Sequence, residues 1–469
     1  MTFSTGLFII GLLPWFILIY SVRGRKERRM RIILTALANC VFLIWGGVGS
    51  FLFICAFAVI IRLFSLLVGK TKKIWLLALC LVLTVMPLVF FKYTAFLIGM
   101  INPLSDGLSW TSSMIIPLGI SFVTFEAVSL LCDIYKGRTD KIPGFIDTYL
   151  YLSFFPTVTS GPIIRFNEFE SGLISPSLSF DRAASVERIA IGLCKKTLIA
   201  DKIAILADHY FDGIACGSSY SAAGLWIGSI AYTLQLYYDF SGYSDMAIGI
   251  GQLMGFDIRE NFNRPYQADS ISDFWKRWHM SLTQWFRDYV YIPLGGNRCS
   301  IPRHVFNMLV VWLITGLWHG ADWNFMLWGV YYGILLLLEK LVFGNVLEKL
   351  PSLLRHVYCM FVVMIGWYLF SYNEISGGTG YLAALFGGGG CFMNRGSVYQ
   401  LYSNAVLLVI LILGSTTIPL KTASCILRKV RNSNTATVVL RGAFTVAVFL
   451  LSVAYLVGDS YNPFLYFRF

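Results

Sequence analysis

Two histidines with aromatic neighbours are the residues of this chain best suited to chemistry. His319 lies between Trp318 and Gly320, in an apolar stretch whose composition predicts a membrane-spanning segment. A titratable ring is costly at that depth, so an intramembrane histidine is a functional-site candidate by default. The plain alternative is a buried histidine that satisfies only one hydrogen bond. A second histidine, His279, in the polar and aromatic segment 269–298, favours the functional interpretation.

The segment around His279 predicts one amphipathic helix. Ser270 or Ser272 can cap its N-terminus, and Pro293 stops it after about Tyr291. A continuous helix would carry on one face Trp275, His279, Leu282 and Phe286. Trp278 would lie on an adjacent face, and the remaining surface would be strongly charged. Such a helix lies at the membrane interface or dips into a protein-lined cavity. The alternative is an interfacial helix whose tryptophans form only an aromatic belt.

Two imidazoles in a membrane cavity suit acyl transfer to a hydroxyl group. One histidine takes the hydroxyl proton while the oxygen attacks an acyl carbonyl, and a pKa near neutrality suits this role. The second could orient the acceptor or donate to the developing oxyanion. The sequence has no G-x-S-x-G nucleophile elbow, so direct transfer is more economical than an acyl-enzyme.

Residues 237–245 interrupt apolar sequence with two carboxylates and two serines. Irregular backbone is tolerated at membrane depth where protein or a water-filled cavity covers it, and we expect such a break here. Asp239, Asp245 and Arg287 could position the reacting groups, or they could form structural ion pairs.

The composition predicts an all-α, polytopic membrane protein that forms one domain over residues 1–469. The chain is 57% hydrophobic and 13% charged, with a mean hydropathy of +0.68. Apolar runs long enough to span a bilayer number about ten to twelve. Residues 32–69 should form two helices that turn near 46–49, and residues 74–100 should form a span with a kink at Pro87. Later spans are expected at 322–343, 357–373, 402–419 and 440–457.

The charge of the chain indicates a membrane orientation and gives no sign of nucleic-acid binding. The +12 net charge is distributed in short clusters between apolar runs, which is the positive-inside pattern. Clusters at 23–31, 70–73 and 421–441 therefore predict cytoplasmic loops, and the N-terminus is expected outside. Lys195 and Lys196 are expected to reach the headgroups. The ten cysteines have no C-x-x-C or Cys/His spacing, so neither a disulfide framework nor a metal site is predicted.

Several stretches carry a resemblance to a known family. They are the sequences at 318–320 (Trp-His-Gly), 278–281 (Trp-His-Met-Ser) and 238–245, with further matches at 117–125, 161–165, 261–266, 291–298 and 462–469. In these stretches the chain resembles the membrane-bound O-acyltransferase (MBOAT) superfamily. More narrowly, it is similar to the bacterial branch that acts in alginate O-acetylation, peptidoglycan O-acetylation and D-alanyl transfer to teichoic acids. The resemblance covers nearly the full length of the chain.

The resemblance implies an MBOAT fold, with spanning, re-entrant and interfacial helices around a central funnel or tunnel and a catalytic core at about 115–330. It implies that His319 is catalytic and that His279 is its functional partner. The residues expected to bind substrate or to support the histidines are Trp318, Asp239, Ser241, Tyr243, Trp278, Arg287, Asn261 and Asn263. The two asparagines would belong to a cytoplasm-facing wall, with simple packing as the alternative.

The leading hypothesis is an O-acetyltransferase in a bacterial cytoplasmic membrane. It would take an acyl group from a cytoplasmic thioester, most simply acetyl-CoA, for transfer to an extracytoplasmic polysaccharide. No bound cofactor or metal is expected. The expected partners are membrane lipids and a secreted SGNH-type acetyltransferase. An alternative is D-alanyl transfer to teichoic acid, with an acyl carrier protein as donor. A distant alternative is a lipid-linked sugar transporter.

Overall fold

The computed structural model describes residues 5–20, 27–101, 115–139, 141–177, 180–215, 220–371, 375–388, 391–430 and 434–458. Over these ranges the chain is helical and contains no β-strand, which confirms the all-α prediction. The loop positions 21–26 and 431–433 and the 462–469 stretch of the resemblance lie outside the described residues.

In the first half of the chain, most helices that follow the third helix are short. In chain order they are α1 Leu13–Ile19, α2 Arg28–Gly46, α3 Val48–Thr71, α4 Ile74–Leu88, α5 Thr94–Ile101, α6 Ile120–Tyr135, α7 Phe145–Leu152, α8 Phe166–Ile174, α9 Arg182–Cys194, α10 Asp201–Ala215 and α11 Ala222–Met254. Wider π-helical turns occur at Leu7–Leu12, Val89–Tyr93 and Lys195–Ala200.

The second half begins with broken elements and ends with long helices. They are a 3₁₀ turn Pro265–Gln267, α12 Ile271–Trp275, α13 Met280–Phe286, α14 Ile301–His319, α15 Trp323–Leu338, α16 Gly344–Lys349, α17 Ser352–Ser371, α18 Ile375–Leu385, α19 Arg395–Gly414, α20 Ile418–Val430 and α21 Asn434–Gly458. Further π-helical turns are Arg287–Tyr291 and Glu339–Phe343.

Eight helices in the described residues are long and apolar enough to cross a bilayer. They are Arg28–Gly46, Val48–Thr71, Ile74–Met100, Ile301–His319, Trp323–Lys349, Ser352–Ser371, Arg395–Gly414 and Thr437–Gly458. The chain is thus a multi-pass membrane protein, and its described residues contain eight such helices where the sequence predicted about ten to twelve for the full chain. The difference lies mainly between 115 and 300, where apolar sequence forms short helices or, in α11, one long helix of mixed composition.

The division at 46–49, the span at 74–100 and the four later spans are confirmed, while the kink at Pro87 stays a prediction. The 32–69 stretch divides at Gly47, whose φ of +132° is open to glycine and costly for other residues. The regular α-helix ends one residue after Pro87 and continues as the π-helical turn Val89–Tyr93, because proline removes one backbone donor. The four later spans are helices at Trp323–Lys349, Ser352–Ser371, Arg395–Gly414 and Thr437–Gly458.

The prediction of irregular backbone at 237–245 is wrong. These residues belong to α11, a continuous helix of 33 residues, and most of them are buried. A buried helix pairs its own backbone N–H and C=O groups. The polar side chains therefore need hydrogen-bond partners, but the helix does not have to be interrupted.

The chain divides into two compact units built from interleaved segments. The first comprises Met1–Ile189, Ser244–Glu260 and Gln284–Val290, and the second comprises Ala190–Tyr243, Asn261–Thr283 and Tyr291–Phe469. In the first unit, Trp285 stacks on Phe125 at 3.9 Å between ring centroids and donates its indole N–H to the Phe125 carbonyl at 3.0 Å. The second unit contains both His279 and His319.

Candidate active site

His319 is the last residue of α14 and does not lie in mid-helix. The chain leaves the helix at Gly320, and Asp322 starts α15 by accepting a hydrogen bond from the Trp323 backbone N–H at 2.6 Å. A Cβ atom at Gly320 would lie 2.0 Å from the Phe325 ring, so a residue with a side chain would displace this turn. The glycine of the Trp-His-Gly stretch therefore lets α15 pack against the end of the helix that holds His319.

The ring of His319 is enclosed by aromatic side chains and is 8% exposed. Its centroid lies 5.0 Å from that of Trp318, 5.1 Å from that of Trp328 and 5.2 Å from that of Phe370. Trp328 comes from α15 and Phe370 from α17, so three elements fix the ring. An apolar surround of this kind excludes water and strengthens any electrostatic contact made to a substrate.

The continuous helix predicted through His279 is wrong, because the backbone reverses at that residue. Ser270 caps α12 as predicted, accepting from the Asp273 N–H at 3.0 Å, but α12 ends at Trp275. His279 has a φ of +45°, in the left-handed region, and α13 starts at Met280. Trp275 and His279 therefore do not share the face of one helix.

Hydrogen bonds from a segment distant in sequence explain the break at His279. The Asn261 carbonyl accepts from the Met280 N–H at 2.9 Å, and the Asn263 N–H donates to the Arg277 carbonyl at 2.9 Å. These bonds satisfy backbone groups that a continuous helix would have paired internally. A left-handed residue other than glycine costs about 1–2 kcal/mol, so the surrounding structure must hold it in place.

The imidazole of His279 is buried, with 1% of its surface exposed. Nδ1 lies 3.1 Å from Oδ1 of Asn261, and Nε2 is buried without a hydrogen-bond partner among the described residues. This residue is outside the eight candidate spans. Burial lowers the pKa of His279 to about 3, because the charged form loses its solvation, so the ring is neutral at physiological pH.

Both histidines contact the same indole. The centroid of His279 lies 6.3 Å from that of Trp318, whose other neighbour is His319. The distance between the two imidazole centroids therefore cannot exceed the sum of these two short distances. The second unit thus brings His279, Trp318 and His319 into one cluster, with the Phe240 ring of α11 edge-on to His279 at 4.8 Å.

The tryptophan beside His279 has a packing role in the structure. Trp278 lies 4.7 Å from Trp367, 5.7 Å from Phe274 and 6.0 Å from Tyr266, measured between ring centroids. Trp278 and His279 have different surroundings at this break in the helix. Trp278 anchors the turn in the aromatic cluster, while His279 faces Phe240 and Trp318.

Asp239 forms an ion pair, the structural alternative considered for it, with a partner that the sequence did not predict. Its Oδ1 lies 3.0 Å from Nζ of Lys196, which also lies 2.8 Å from Oδ1 of Asp201. The side chain of Lys196 is only 4% exposed, so the prediction that it reaches the headgroups is wrong. A carboxylate in an apolar helix requires a cation, and that requirement was the available signal for Lys196.

Other predicted site residues have different positions. Ser241 and Tyr243 are buried on α11, and Asn263 is exposed. Arg287 is exposed and belongs to the first unit. Asp245, also in the first unit, pairs with Arg188 at 2.9 Å, which is the structural alternative considered for it.

Glu339 is a second residue that sequence reasoning missed. Its buried carboxylate accepts from the N–H groups of Ile271 and Ser272 at 2.6 and 2.9 Å, and from the Ser272 hydroxyl at 2.9 Å. It thereby fixes the start of α12, the helix that leads to the His279 turn. A cavity of about 480 Å³ adjoins this point, lined among others by Glu339, Lys340 and Arg355, and neither imidazole lines it.

Comparison with known proteins gives a consistent result. The model of the membrane-bound O-acyltransferase family matches residues 135–379, which include both histidines. The chain is 34% identical to the probable alginate O-acetylase AlgI of Pseudomonas aeruginosa, covering 88% of this chain and 81% of that protein. It is 32% identical to the peptidoglycan O-acetyltransferase of Helicobacter pylori, covering 82% and 80%. The teichoic acid D-alanyltransferase of Bacillus subtilis is 29% identical over 54% of this chain and 68% of its own length.

Proposed function

The chain belongs to the membrane-bound O-acyltransferase family, and from that premise we propose that it supplies acetyl groups for O-acetylation of an extracytoplasmic polysaccharide. It is a multi-pass membrane enzyme that transfers an acyl group to an oxygen atom. The proposed donor is a cytoplasmic thioester, most simply acetyl-CoA. The proposed location is the bacterial cytoplasmic membrane, and the acceptor is an alginate-type exopolysaccharide or peptidoglycan.

The proposed step needs one proton acceptor and no covalent enzyme intermediate. His319 removes the proton of the acceptor hydroxyl as its oxygen attacks the thioester carbonyl carbon. The tetrahedral intermediate then collapses with cleavage of the carbon–sulfur bond, and the imidazolium returns the proton to the thiolate. One ester and one free thiol result, and the histidine is neutral again.

The observation that carries this proposal is the convergence of His319 and His279 on Trp318. Two polar rings in an aromatic enclosure have no packing advantage over apolar rings, since burial of polar groups costs free energy. A reaction that moves a proton at that position explains why they are there. The similarity to two named O-acetylating proteins over more than four fifths of the chain supports the acetyl group.

A secreted partner of the SGNH type is part of the proposal. The polymer lies outside the membrane, and the partner would hold it at the membrane so that its hydroxyl reaches the site of transfer. Membrane lipids surround the spanning helices, whose exposed side chains are largely apolar.

The test is substitution of His319 by Ala in a host that lacks its own copy of the protein. Mass analysis of ester groups on cell-wall and secreted glycans should show loss of acetylation by at least about a hundredfold, the range expected for a general base. His209, an exposed histidine of the second unit, provides the matched control. His209→Ala should retain acetylation. Undiminished esters with His319→Ala at normal protein level would refute the proposed role.

Transfer of D-alanine to teichoic acid from an acyl carrier protein is the second candidate. The D-alanyltransferase of Bacillus subtilis is a relative at 29% identity, over a smaller part of this chain than the acetylating relatives. The same mass analysis separates the two, because alanyl esters would disappear in place of acetyl esters.

A further inference from the structure

We infer that Asn261 is a positioning residue that holds His279 as the Nδ1–H tautomer, so that Nε2 receives a hydrogen bond from a hydroxyl of the acceptor. The identity of the donor rests on the proposed function. The tautomer does not, because it follows from contacts within the second unit.

The orientation of the Asn261 amide is set by a group that can only donate. The backbone N–H of Ser281 lies 3.2 Å from Oδ1 of Asn261, and the Ser281 hydroxyl lies 2.9 Å from the same atom. An amide nitrogen in that place would direct its hydrogens at another donor. The oxygen therefore faces this side, and no choice of amide flip is left open.

The same oxygen determines which nitrogen of His279 carries hydrogen. Oδ1 of Asn261 lies 3.1 Å from Nδ1, and a carbonyl oxygen only accepts. Nδ1 must therefore donate. A neutral imidazole has a single N–H, so Nε2 has its lone pair available.

The backbone holds the ring of His279 beside Asn261. Asn261 is fully buried, and its carbonyl holds the Met280 N–H, the residue next to His279. The left-handed conformation of His279 directs its side chain out of the α12–α13 path and into the enclosure with Phe240 and Trp318. Main-chain and side-chain atoms of one asparagine thus fix both the position and the proton of the ring.

This arrangement decides between the two roles considered for His279. A neutral ring with hydrogen on Nδ1 cannot donate to an oxyanion through Nε2, so oxyanion stabilisation by His279 is excluded. An acceptor role remains. The reacting hydroxyl has one hydrogen, which goes to His319, so His279 binds a neighbouring hydroxyl of the same acceptor. Sugars carry adjacent hydroxyls, and the pair of histidines would then select acceptors of that kind.

The test measures the tautomer directly. Full-length protein labelled with ¹³C,¹⁵N-histidine is placed in lipid bilayers for magic-angle-spinning NMR, and His279→Gln identifies the signals of His279. We expect a protonated Nδ1 and a non-protonated Nε2. Asn261→Asp keeps an acceptor oxygen and should keep that tautomer, whereas Asn261→Leu should produce a mixture or the Nε2–H form. Asn345→Leu, at an exposed asparagine of α16 in the same unit, is the matched control and should change nothing.

An Nε2–H ring in the native protein would overturn the inference, as would an unchanged tautomer in folded Asn261→Leu. If Asn261→Leu does not fold, the native protein and Asn261→Asp still decide. On the activity side, polymer acetylation should fall about tenfold or more in Asn261→Leu and stay within about twofold in Asn345→Leu. Equal acetylation in both would refute the positioning role. Loss of the proposed function itself would appear as native protein that yields no acetyl esters, with the tautomer unaffected.

Discussion

Two regions of the molecule place polar side chains among apolar ones, and they do so in opposite ways. In α11 the backbone stays a regular helix, and the buried Asp239 is paired with Lys196. In the segment 271–286 the helix is broken, and His279 adopts a strained backbone conformation. A charge needs only a partner, which can come from a neighbouring element. The ring of His279 is directed by the backbone itself, which turns at that residue.

The Asp239–Lys196 pair supports the fold, whereas His279 has the features of a residue that acts on a ligand. The Asp239 carboxylate has a cation within the protein, so the pair stabilises the helix that carries Phe240, a neighbour of His279. His279 has one nitrogen satisfied and one nitrogen buried without a partner among the described residues. Strain and an unused hydrogen-bonding atom at the same residue are features of sites that act on a ligand.

The largest expected effect tests the α11 side of the comparison. Lys196→Met should leave the carboxylates of Asp239 and Asp201 without their shared cation and lower the free energy of unfolding by about 3–5 kcal/mol. Thermal unfolding in detergent would measure it. The double variant Lys196→Met with Asp239→Leu should recover part of the loss, since it removes one of the two carboxylates left without a cation. A double variant no more stable than Lys196→Met would argue against the pair as a support.

A smaller effect tests the strained side. His279→Gly and His279→Ala both remove the ring, but only glycine adopts a φ of +45° without steric cost. The free energy of unfolding of the glycine variant should therefore be about 1–2 kcal/mol higher than that of the alanine variant. Acetylation should be lost in both. Equal stability of the two would indicate that the turn relaxes when the imidazole is absent.

The smallest effect concerns the helix that leads into the turn. Ser270→Ala removes the side-chain acceptor of the Asp273 N–H and should cost about 1 kcal/mol. Ser270→Asn, which can still cap, is the control. Because Glu339 also holds the start of α12, the turn at His279 should stay in place. Acetylation should therefore fall only slightly although the free energy of unfolding falls. A loss of acetylation larger than tenfold with little change in stability would place Ser270 closer to the reaction than we propose.

Local sequence patterns were sufficient for the features that depend on neighbouring residues. Apolar runs predicted a helical membrane protein, the glycines at 46–49 predicted the division between α2 and α3, and Ser270 was one of the two serines predicted as a cap. His319 and His279 were selected because histidine is costly in such surroundings. The patterns could not predict the π-helical and short helices between 115 and 300, where packing overrides periodicity.

The sequence alone determined the class of protein, its family and the two histidines, because composition and short stretches of residues carry that information. Only the tertiary structure decided the break at His279, the partner of Asp239 and the encounter of both imidazoles with Trp318. Helix periodicity assumes that backbone groups bond within their own segment. The groups of residue 277 and residue 280 bond instead to those of 263 and 261, respectively, and a hydrogen bond between distant segments leaves no periodic trace in the chain.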